Sequence, residues 1–182
     1  MTALYWLRTE REHGRSDARL RLAASMFTGL LPTDVRLGVS RQNGKPFFPS
    51  VPGLFCSVTH SGGIWLCALS PAPVGIDLQE WQNRDIIKIA ARFFHPDETA
   101  WLRENPDRFF DVWCAKESYV KYTGDGLFPG LDSFSVIKEG GLSGSVHGAV
   151  LRFVPFLPRY ALCVCGGEGK IHLYELPGND KL

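Results

Sequence analysis

Three charged side chains on one short segment are the first candidates for chemistry. The segment 107–122 (DRFFDVWCAKESYVKY) has apolar residues at the spacing of a helix face. At about 100° per residue, Lys116 and Glu117 fall within that apolar arc and Lys121 falls on its edge. Charges that face a core must be paired, or must face a cavity that holds a charged group. The alternative is an ordinary i,i+4 pair between Glu117 and Lys121 on a solvated flank.

An aspartate within an apolar strand is the second candidate. The segment V74-G-I-D-L-Q79 reads as a strand, an element in which Asp is disfavoured. Strand alternation places Asp77 and Gln79 on one face and Glu80 on the other. A turn former or an edge residue is the plainer explanation of a strand aspartate. Together with Glu117, however, Asp77 would supply two hard carboxylate oxygens suited to Mg²⁺, whose other ligands are water and substrate phosphates.

A third group of residues offers cations and backbone donors. The Asn-Gly pair before Lys45 is typical of a tight turn, which would place this lysine at a hairpin tip. Thr59, His60 and Ser61 lead into a Gly-Gly turn whose N–H groups suit phosphate oxygens. A solvated turn lysine and an ordinary strand-end histidine are the alternatives. Taken with the two carboxylates, these residues indicate a phosphate-bearing polyanionic ligand bound through a divalent metal, cations and a histidine.

The elements that must position these residues occur in the order strands, helices, strands. Strands are expected at 3–7, 36–39, 54–59, 64–69, 74–79, 133–137, 149–154, 160–165 and 171–175. Helices are expected at 17–31, closed by Pro32, at 85–94, from Pro96 onward, and at 107–122, ending at Gly124. This order indicates an α+β fold.

Composition limits the class of protein. The chain has 182 residues, a net charge of +1 and 45% hydrophobic residues, which favours a packed globular domain over a strongly basic nucleic-acid binder. Its five cysteines include no C-x-x-C pair, so we expect small apolar core residues in a reducing compartment. The sequence shows no signal peptide and no apolar run of membrane length. We therefore expect a cytoplasmic protein with no membrane and no nucleic-acid partner.

Four segments occur in the order and at the spacing of a known family. They are N43-G-K-P46, F55-x-x-x-T-H-S-G62, V74-G-I-D77 and W113-C-A-K-E-S-x-x-K121. Over roughly residues 40–137 the sequence resembles the 4′-phosphopantetheinyl transferases, and more closely their larger, surfactin-synthetase-activating type. Further similarity lies in A91-R-F-F94, Glu98 and L131-D-S-F-S-V136.

The resemblance implies a fold and a reaction. The fold would be one transferase unit over 1–182, made of two similar α+β halves, near 1–72 and 73–182, each with a sheet against a long helix. A pseudo-twofold axis would relate the halves, with CoA between them, in a monomer that is a pseudo-dimer within one chain. The enzyme would be a holo-[acyl-carrier-protein] synthase. It would move the phosphopantetheine arm of CoA to a serine of an apo acyl or peptidyl carrier protein and release 3′,5′-ADP, with Mg²⁺ as cofactor.

The resemblance also assigns catalytic and metal-binding roles. Asp77 and Glu117 fall on the family's metal ligands, with Gln79 beside them, and Glu117 also falls where a base for the serine hydroxyl has been proposed. Lys121 falls on a lysine that contacts a CoA phosphate. Glu117, Lys121 and His60 make up the expected catalytic set. The resemblance leaves the role of Lys116 open.

The resemblance places further residues against CoA and the carrier protein. Lys45 and Pro46 fall beside the adenine and 3′-phosphate, and Thr59 falls with its neighbouring histidine on a pair that contacts CoA phosphates. Arg19 and Arg21 are equal candidates for a first-helix arginine that meets the 3′-phosphate. The carrier is expected to meet a shallow apolar surface, with three candidate residues: Phe47, Phe48 and Phe128.

One departure from the family pattern concerns the metal. Many members have Glu where this chain has Gln79, which keeps a carbonyl oxygen but loses a charge. We therefore expect weaker metal binding or an added water ligand, because strand alternation points Glu80 away. Two other functions stay open: a CoA-binding module without turnover, and a metal-dependent phosphodiesterase that uses Asp77, Glu117 and His60.

Overall fold

Two compact units make up the chain. The computed structural model describes residues 1–9, 16–124 and 130–177. Unit 1 comprises Met1–Gly75 and Gly166–Leu182, and unit 2 comprises Ile76–Cys165. Strands and helices occur in both units, so the predicted α+β class is confirmed. The end of the chain belongs to unit 1, although the second half expected from the sequence, 73–182, contains it.

Unit 1 is a four-stranded sheet with one long helix against it. Its elements are β1 (Thr2–Arg8), α1 (Ser16–Thr28), β2 (Gly38–Val39), β3 (Pro46–Phe47), β4 (Phe55–Ser61), β5 (Ile64–Ser70) and β12 (Ile171–Glu175). The sheet has the order β12-β1-β5-β4, in which β1 pairs parallel with β12 and antiparallel with β5. Leu20, Ala23 and Ala24 of α1 are buried with Trp65 and Cys67 of β5, so the core lies between helix and sheet.

Helix α1 ends at Thr28, before the end predicted from the pattern 17–31. Gly29 has a φ of +78°, in the left-handed region that glycine enters without steric cost. Its N–H donates to the Ser25 carbonyl at 2.8 Å, which completes the last turn. Leu31 therefore lies beyond the helix, and 67% of it is exposed.

Glycines also form two tight turns of unit 1. Gly62 and Gly63, with φ of +54° and +74°, make the two-residue connection between β4 and β5. Gly44, with a φ of +70°, lies in the connection of the β2–β3 hairpin. Lys45 follows it directly and precedes β3, and its backbone N–H donates to the Asn43 side chain at 3.2 Å.

Unit 2 combines three helices with a second four-stranded sheet around one core. Its elements are β6 (Val74–Glu80), α2 (Ile86–Phe93), α3 (Pro96–Glu104), α4 (Phe109–Thr123), β7 (Ile137–Lys138), β8 (Gly141–Leu142), β9 (Ser145–Val146), β10 (Ala149–Phe153) and β11 (Tyr160–Gly166). The sheet order is β6-β11-β10-β9, and β7 and β8 form a separate pair. Short 3-10 turns span Pro106–Arg108 and Leu131–Ser133.

The helices of unit 2 lie close to their predicted bounds, although α4 begins at Phe109 and not at 107, because a 3-10 turn precedes it. Asp85 caps α2 by accepting the Lys88 N–H at 3.3 Å. Pro96 occupies the first turn of α3, where its missing N–H costs nothing. Gly124 ends α4 in the left-handed conformation, with φ +79°, and donates its N–H to the Val120 carbonyl at 3.0 Å.

The strand predicted at 133–137 is wrong, because most of this segment is a 3-10 turn and a connection. The Glu98 carboxylate accepts the Val136 N–H at 2.7 Å. The Lys116 ammonium donates to the Phe134 carbonyl at 2.6 Å. Buried side chains thus bind backbone groups that a sheet ladder would use, and only the last residue of the segment joins β7. Of the strand predicted at 36–39, only the last two residues form a strand, which is β2.

All five cysteines are buried free thiols, as the sequence predicts. Cys163 and Cys165 lie on one face of β11 and belong to the core of unit 2. Among the residues that the structure describes, no helix combines the length and the apolar character that crossing a membrane requires.

Candidate functional site

Strand β6 and helix α4 bring the acidic and basic candidates together within unit 2. Asp77 lies in β6 and is only 2% exposed. The Lys121 ammonium, from the last turn of α4, lies 2.6 Å from Asp77 Oδ1. Gln79 Nε2 lies 3.2 Å from Asp77 Oδ2, which confirms that the two β6 side chains share a face. Each oxygen of this buried carboxylate therefore accepts a hydrogen bond from a predicted site residue.

Glu117 belongs to the same cluster, one helical turn before Lys121 on α4. Burial raises the pKa of its carboxyl, and the negative charge of Asp77 raises that pKa further, whereas Lys121 lowers it. The charges of Asp77 and Glu117, which lie on different elements, therefore repel each other. Such proximity is what a metal ion shared by the two carboxylates would need. The sequence left open a pair between Glu117 and Lys121 on a solvated flank of the helix. In the structure, Lys121 instead binds the buried carboxylate of Asp77.

The plainer explanation of Asp77 is also only partly right. Strand β6 is the outermost strand in the order of its sheet, so Asp77 does lie on an edge strand. Its side chain is nevertheless buried and forms an ion pair, which a solvent-facing edge residue would not do. A buried charge requires a partner, and Lys121 is that partner.

Cys114, one turn before Glu117, is a site neighbour for which the sequence predicts only a position in the core. Its thiol donates to the Ala161 carbonyl of β11 at 3.3 Å, so it ties α4 to the sheet. Burial raises its pKa well above the usual value, and the charge of Asp77 raises it further. The thiol therefore stays protonated at neutral pH and acts as packing, since nucleophiles and metal ligands are thiolates.

Lys116, whose role the sequence left open, belongs to a buried network on another side of α4. Its ammonium lies 2.7 Å from the Glu98 carboxylate, and both side chains are 0% exposed. The ammonium also lies 4.2 Å from the centre of the Phe134 ring. The prediction that a charge within the apolar arc must be paired is confirmed for this lysine.

The partner of Lys116 carries a local signal that could have identified it from the sequence. Glu98 stands three residues after His95, the N-cap of α3, in the spacing of a capping box. Its carboxylate accepts the His95 N–H at 3.0 Å, which completes that box. One carboxylate thus joins the start of α3 to the middle of α4.

The remaining predicted CoA contacts lie in unit 1. Lys45 and Pro46 are half-buried, and the Pro46 carbonyl accepts from the Cys56 thiol at 3.1 Å, which joins the hairpin to β4. Thr59 is buried at 5% exposure, whereas His60 is exposed, because successive residues of β4 point to opposite faces. Their predicted phosphate contacts remain predictions.

The two candidate arginines of α1 differ in their surroundings. Arg19 is 2% exposed, donates to Thr9 Oγ1 at 3.0 Å and lies 6.0 Å from the Trp65 ring. Arg21 is half-buried and donates to the Val35 carbonyl. Arg19 therefore has a place in the core of unit 1, while Arg21 lies nearer the surface.

The three apolar candidates for carrier contact also differ. Phe47 is 46% exposed and keeps its predicted surface position. Phe48 is 3% exposed and belongs to the core of unit 1, so its prediction as a surface contact is wrong. The side chains alternate in direction along this short extended segment, which places the second ring inside. Phe128 lies outside the described residues.

An apolar pocket of about 250 Å³ opens beside the cluster in unit 2. Four aromatic side chains line it, together with Ile89, Gln82 and Arg84: Phe93, Phe109, Phe110 and Trp113. Gln79, which hydrogen-bonds Asp77, lines the same pocket. Gln79 therefore contacts both the pocket and the buried carboxylate.

The donor set around Asp77 fits a hard divalent cation. Asp77 and Glu117 offer carboxylate oxygens and Gln79 an amide oxygen, and Mg²⁺ prefers oxygen ligands while keeping several waters or phosphates. Within the described ranges, no group of three or more His, Cys, Asp or Glu side chains is placed to hold a metal ion. Burial and, after it, the charge of Asp77 raise the pKa of Glu117, and a cation between the two acids would relieve their repulsion.

Comparison with known proteins agrees with these motifs. The family description "4′-phosphopantetheinyl transferase superfamily" matches residues 73–165, which hold the whole Asp77–Glu117–Lys121 cluster. A 4′-phosphopantetheinyl transferase of Bacillus subtilis is 39% identical over 163 residues, covering 84% of this chain and 72% of that protein. The 4′-phosphopantetheinyl transferase Sfp of Bacillus subtilis (strain 168) is 35% identical with the same coverage. The 4′-phosphopantetheinyl transferase HetI of Nostoc is 35% identical over 118 residues, 59% of this chain and 49% of that protein. The chain belongs to the 4′-phosphopantetheinyl transferase superfamily.

Proposed function

We propose that this chain is a 4′-phosphopantetheinyl transferase that moves the phosphopantetheine arm of CoA to a serine of an apo acyl or peptidyl carrier protein. The products are the holo carrier protein and 3′,5′-ADP. The observation that carries the proposal is the cluster of Asp77, Glu117 and Lys121, formed by two separate family motifs in unit 2. Relatives that cover most of the chain bear the name of this activity.

The chemistry follows from charge. The CoA pyrophosphate is an anion that repels a nucleophile, and phosphoryl transfer is catalysed mainly by positioning and charge neutralisation. Asp77 and Glu117, with the Gln79 amide, would hold Mg²⁺, which when bound supplies positive charge to the phosphate oxygens. Lys121 is expected to donate to a phosphate oxygen of CoA, and His60 to a second one.

The serine must lose its proton as its oxygen attacks phosphorus. Glu117 is the candidate base because it falls at the position proposed for this role in the family, and it would accept the proton directly or through a water. The bond that forms joins the serine oxygen to the phosphorus that carries the pantetheine arm. The bond that breaks frees 3′,5′-ADP as the leaving group.

The pocket beside Gln79 is a candidate for the arm of the substrate. The pantetheine arm carries a dimethyl-substituted carbon and stays attached to the reacting phosphate, which Asp77 would bind through the metal. An aromatic-walled pocket suits such an arm, since most of a ligand's stabilisation comes from apolar contact. Lys45, Pro46 and Thr59 of unit 1 are proposed to contact the nucleotide end of CoA.

Several finer points are part of the same proposal. We expect a cytoplasmic monomer with two similar halves, near 1–72 and 73–182, related by a pseudo-twofold axis with CoA between them. Each unit by itself contains a four-stranded sheet and a long helix, α1 or α4, which supports that expectation. Acyl or peptidyl carrier proteins would be its macromolecular partners.

A second function is favoured by one observation. Gln79 directs its amide nitrogen toward Asp77. This NH₂ group is a hydrogen-bond donor and cannot serve as a metal ligand, whereas the amide oxygen could. If the amide kept that orientation, the site would bind CoA without effective turnover. A CoA-binding module is therefore the alternative, and Gln79→Glu would restore transfer to it.

Intact-mass analysis tests the proposal. The protein is incubated with CoA, Mg²⁺ and several apo carrier proteins, and each carrier should gain the mass of one phosphopantetheine. Asp77→Asn and Glu117→Gln should each lower the rate by about 100-fold or more, as removal of a group that stabilises the transition state does. Lys88→Met, an exposed lysine of α2 that pairs with Asp85, is the matched control and should keep the full rate.

The asparagine variant is chosen over alanine because Asp77 is buried. Asparagine keeps the size of the side chain while removing its charge and one of its two acceptor oxygens. No mass gain on any carrier by the folded wild-type protein would overturn the transferase proposal. Transfer at the wild-type rate by either carboxylate variant would overturn the assignment of the metal ligands.

A further inference from the structure

We infer that Lys121 is an exchangeable contact controlled by the divalent cation. It binds Asp77 when the carboxylates hold no cation, and it turns to a phosphate oxygen of CoA once a cation has taken its place. The identity of that phosphate rests on the proposed function. The exchange itself rests on the Lys121–Asp77 contact and on the proposed role of Asp77 as a ligand of the cation.

Competition for the same oxygen is the first step. Lys121 Nζ lies 2.6 Å from Asp77 Oδ1, the length of a short charge-assisted hydrogen bond. A cation such as Mg²⁺ binds a carboxylate oxygen at about 2.0–2.1 Å. An ammonium and a divalent cation on one carboxylate repel each other strongly at such distances. A cation bound at Oδ1 would therefore displace Lys121 from that oxygen.

The second step is that both states satisfy the buried charge. The Asp77 side chain is 3% exposed, so its carboxylate needs a positive partner in either state. The Lys121 side chain is 29% exposed and carries its charge on a flexible four-carbon stem. It can swing away from Asp77 without leaving an unpaired buried ammonium behind. The aspartate is the fixed member of the pair and the lysine is the mobile one.

The third step concerns where the released ammonium goes. Lys121 stands one helical turn after Glu117, the second carboxylate of the cluster. A phosphate held by the same cation would lie within reach of the lysine that the cation displaced. The contact between Lys121 and CoA therefore forms only in the metal-bound protein. By linkage, the cation and CoA then strengthen each other's binding by the same factor.

Calorimetric titration of CoA tests this coupling. In saturating Mg²⁺, Lys121→Met should weaken CoA binding about tenfold or more, since a hydrogen bond to a charged group is lost. In EDTA the same substitution should change CoA affinity by no more than about twofold, because Lys121 still binds Asp77 there. Lys88→Met should change neither value. An equal loss of affinity in both conditions would show a phosphate contact that needs no exchange, and would overturn the inference.

A titration with Mn²⁺ alone tests the competition without CoA. Electron paramagnetic resonance measures the free ion, and Lys121→Met should bind Mn²⁺ about tenfold more tightly than the wild type, because a competing charged partner is removed. Unchanged or weaker binding would contradict the exchange. If Mn²⁺ binding tightens as expected but CoA does not bind at all, the exchange stands and the proposed function fails.

The wild-type protein supplies a test that needs no variant. The side-chain ammonium resonance of Lys121 should shift when Mg²⁺ alone is added, and a crystal grown with Mg²⁺ should place Nζ beyond hydrogen-bond distance of Asp77 Oδ1. A Lys121–Asp77 bond that persists at saturating Mg²⁺ would overturn the inference. Thermal melting of Lys121→Met, compared with the wild type, shows whether the variant is folded in the other two experiments.

Discussion

Lys116 and Glu98 form an ion pair that is completely buried in unit 2, with the ammonium 2.7 Å from the carboxylate. Burial lowers the pKa of Lys116, and the charge of Glu98 opposes that shift. Glu98 keeps two further donors, the His95 N–H at 3.0 Å and the Val136 N–H at 2.7 Å. Lys116 has the Phe134 carbonyl as its second acceptor. The pair joins α3, α4 and the connection before β7 at one point.

Removal of Glu98 is expected to cost more stability than removal of Lys116. Glu98→Ala leaves a buried ammonium without its counter-ion and should lower the free energy of unfolding by about 3–5 kcal/mol. Lys116→Met should cost less, because Glu98 keeps its two N–H donors and the methionine fills the space. Urea denaturation of both variants measures the difference, with Lys88→Met as an exposed control. Equal losses of stability would contradict the view that Glu98, with its two N–H donors, tolerates the loss of its partner better than Lys116 does.

Gln79→Glu should make the metal-free protein less stable and should increase its affinity for a divalent metal ion. The new carboxylate would stand where an amide nitrogen now lies 3.2 Å from Asp77 Oδ2, so repulsion should lower the melting temperature in EDTA. Mn²⁺ should bind about tenfold more tightly, as expected for one added charged contact. Gln42→Glu, at an exposed position in the β2–β3 connection of unit 1, is the matched control. Melting curves with and without Mg²⁺ test both effects, and a variant that melts like the wild type in both would exclude Gln79 from the site.

The raised pKa of Glu117 predicts a pH-dependent cost in the metal-free protein. Between the unfolded and the folded pKa, the folded state binds more protons, so the free energy of unfolding falls as pH rises through that interval. Glu117→Gln removes this cost and should raise the melting temperature in EDTA at neutral pH. The advantage should vanish below the ordinary glutamate pKa of about 4.3, where both states are protonated.

The control for this experiment is Glu104→Gln, an exposed acid of α3 in the same unit. It should change the melting temperature little at any pH in the series. A Glu117→Gln variant that is less stable than the wild type at neutral pH in EDTA would contradict the origin of the shift. Melting curves across the pH series therefore show whether the ionised carboxylate of Glu117 destabilises the metal-free fold.

Gly124 is expected to matter because it ends the helix that carries Glu117 and Lys121. Its φ of +79° is unfavourable for a residue with a Cβ, so Gly124→Ala should cost about 1 kcal/mol of stability. Gly144→Ala is the matched control, since no atom lies within 4 Å of a Cβ placed there and its φ is not in the left-handed region. Chemical denaturation compares the two, and an equal effect would mean that the left-handed cap adds nothing.

Local patterns in the sequence were sufficient for the long elements and for the members of the candidate cluster. The apolar spacing at 107–122 and the closing glycine predicted α4, and strand alternation correctly placed Asp77 and Gln79 on one face. These features depend on residues close together in the chain, whose geometry the backbone repeats determine. Membership of the family followed from motifs of the same local kind.

Contacts between distant residues required the tertiary structure. The sequence could not choose between a Glu117–Lys121 pair and a lysine that binds Asp77, because both are sterically open to an isolated helix. It predicted a strand at 133–137, where Glu98 and Lys116 instead bind the backbone groups that a strand would need. Which partner a buried charge takes depends on which elements pack together, and that is decided by the whole core rather than by any one segment.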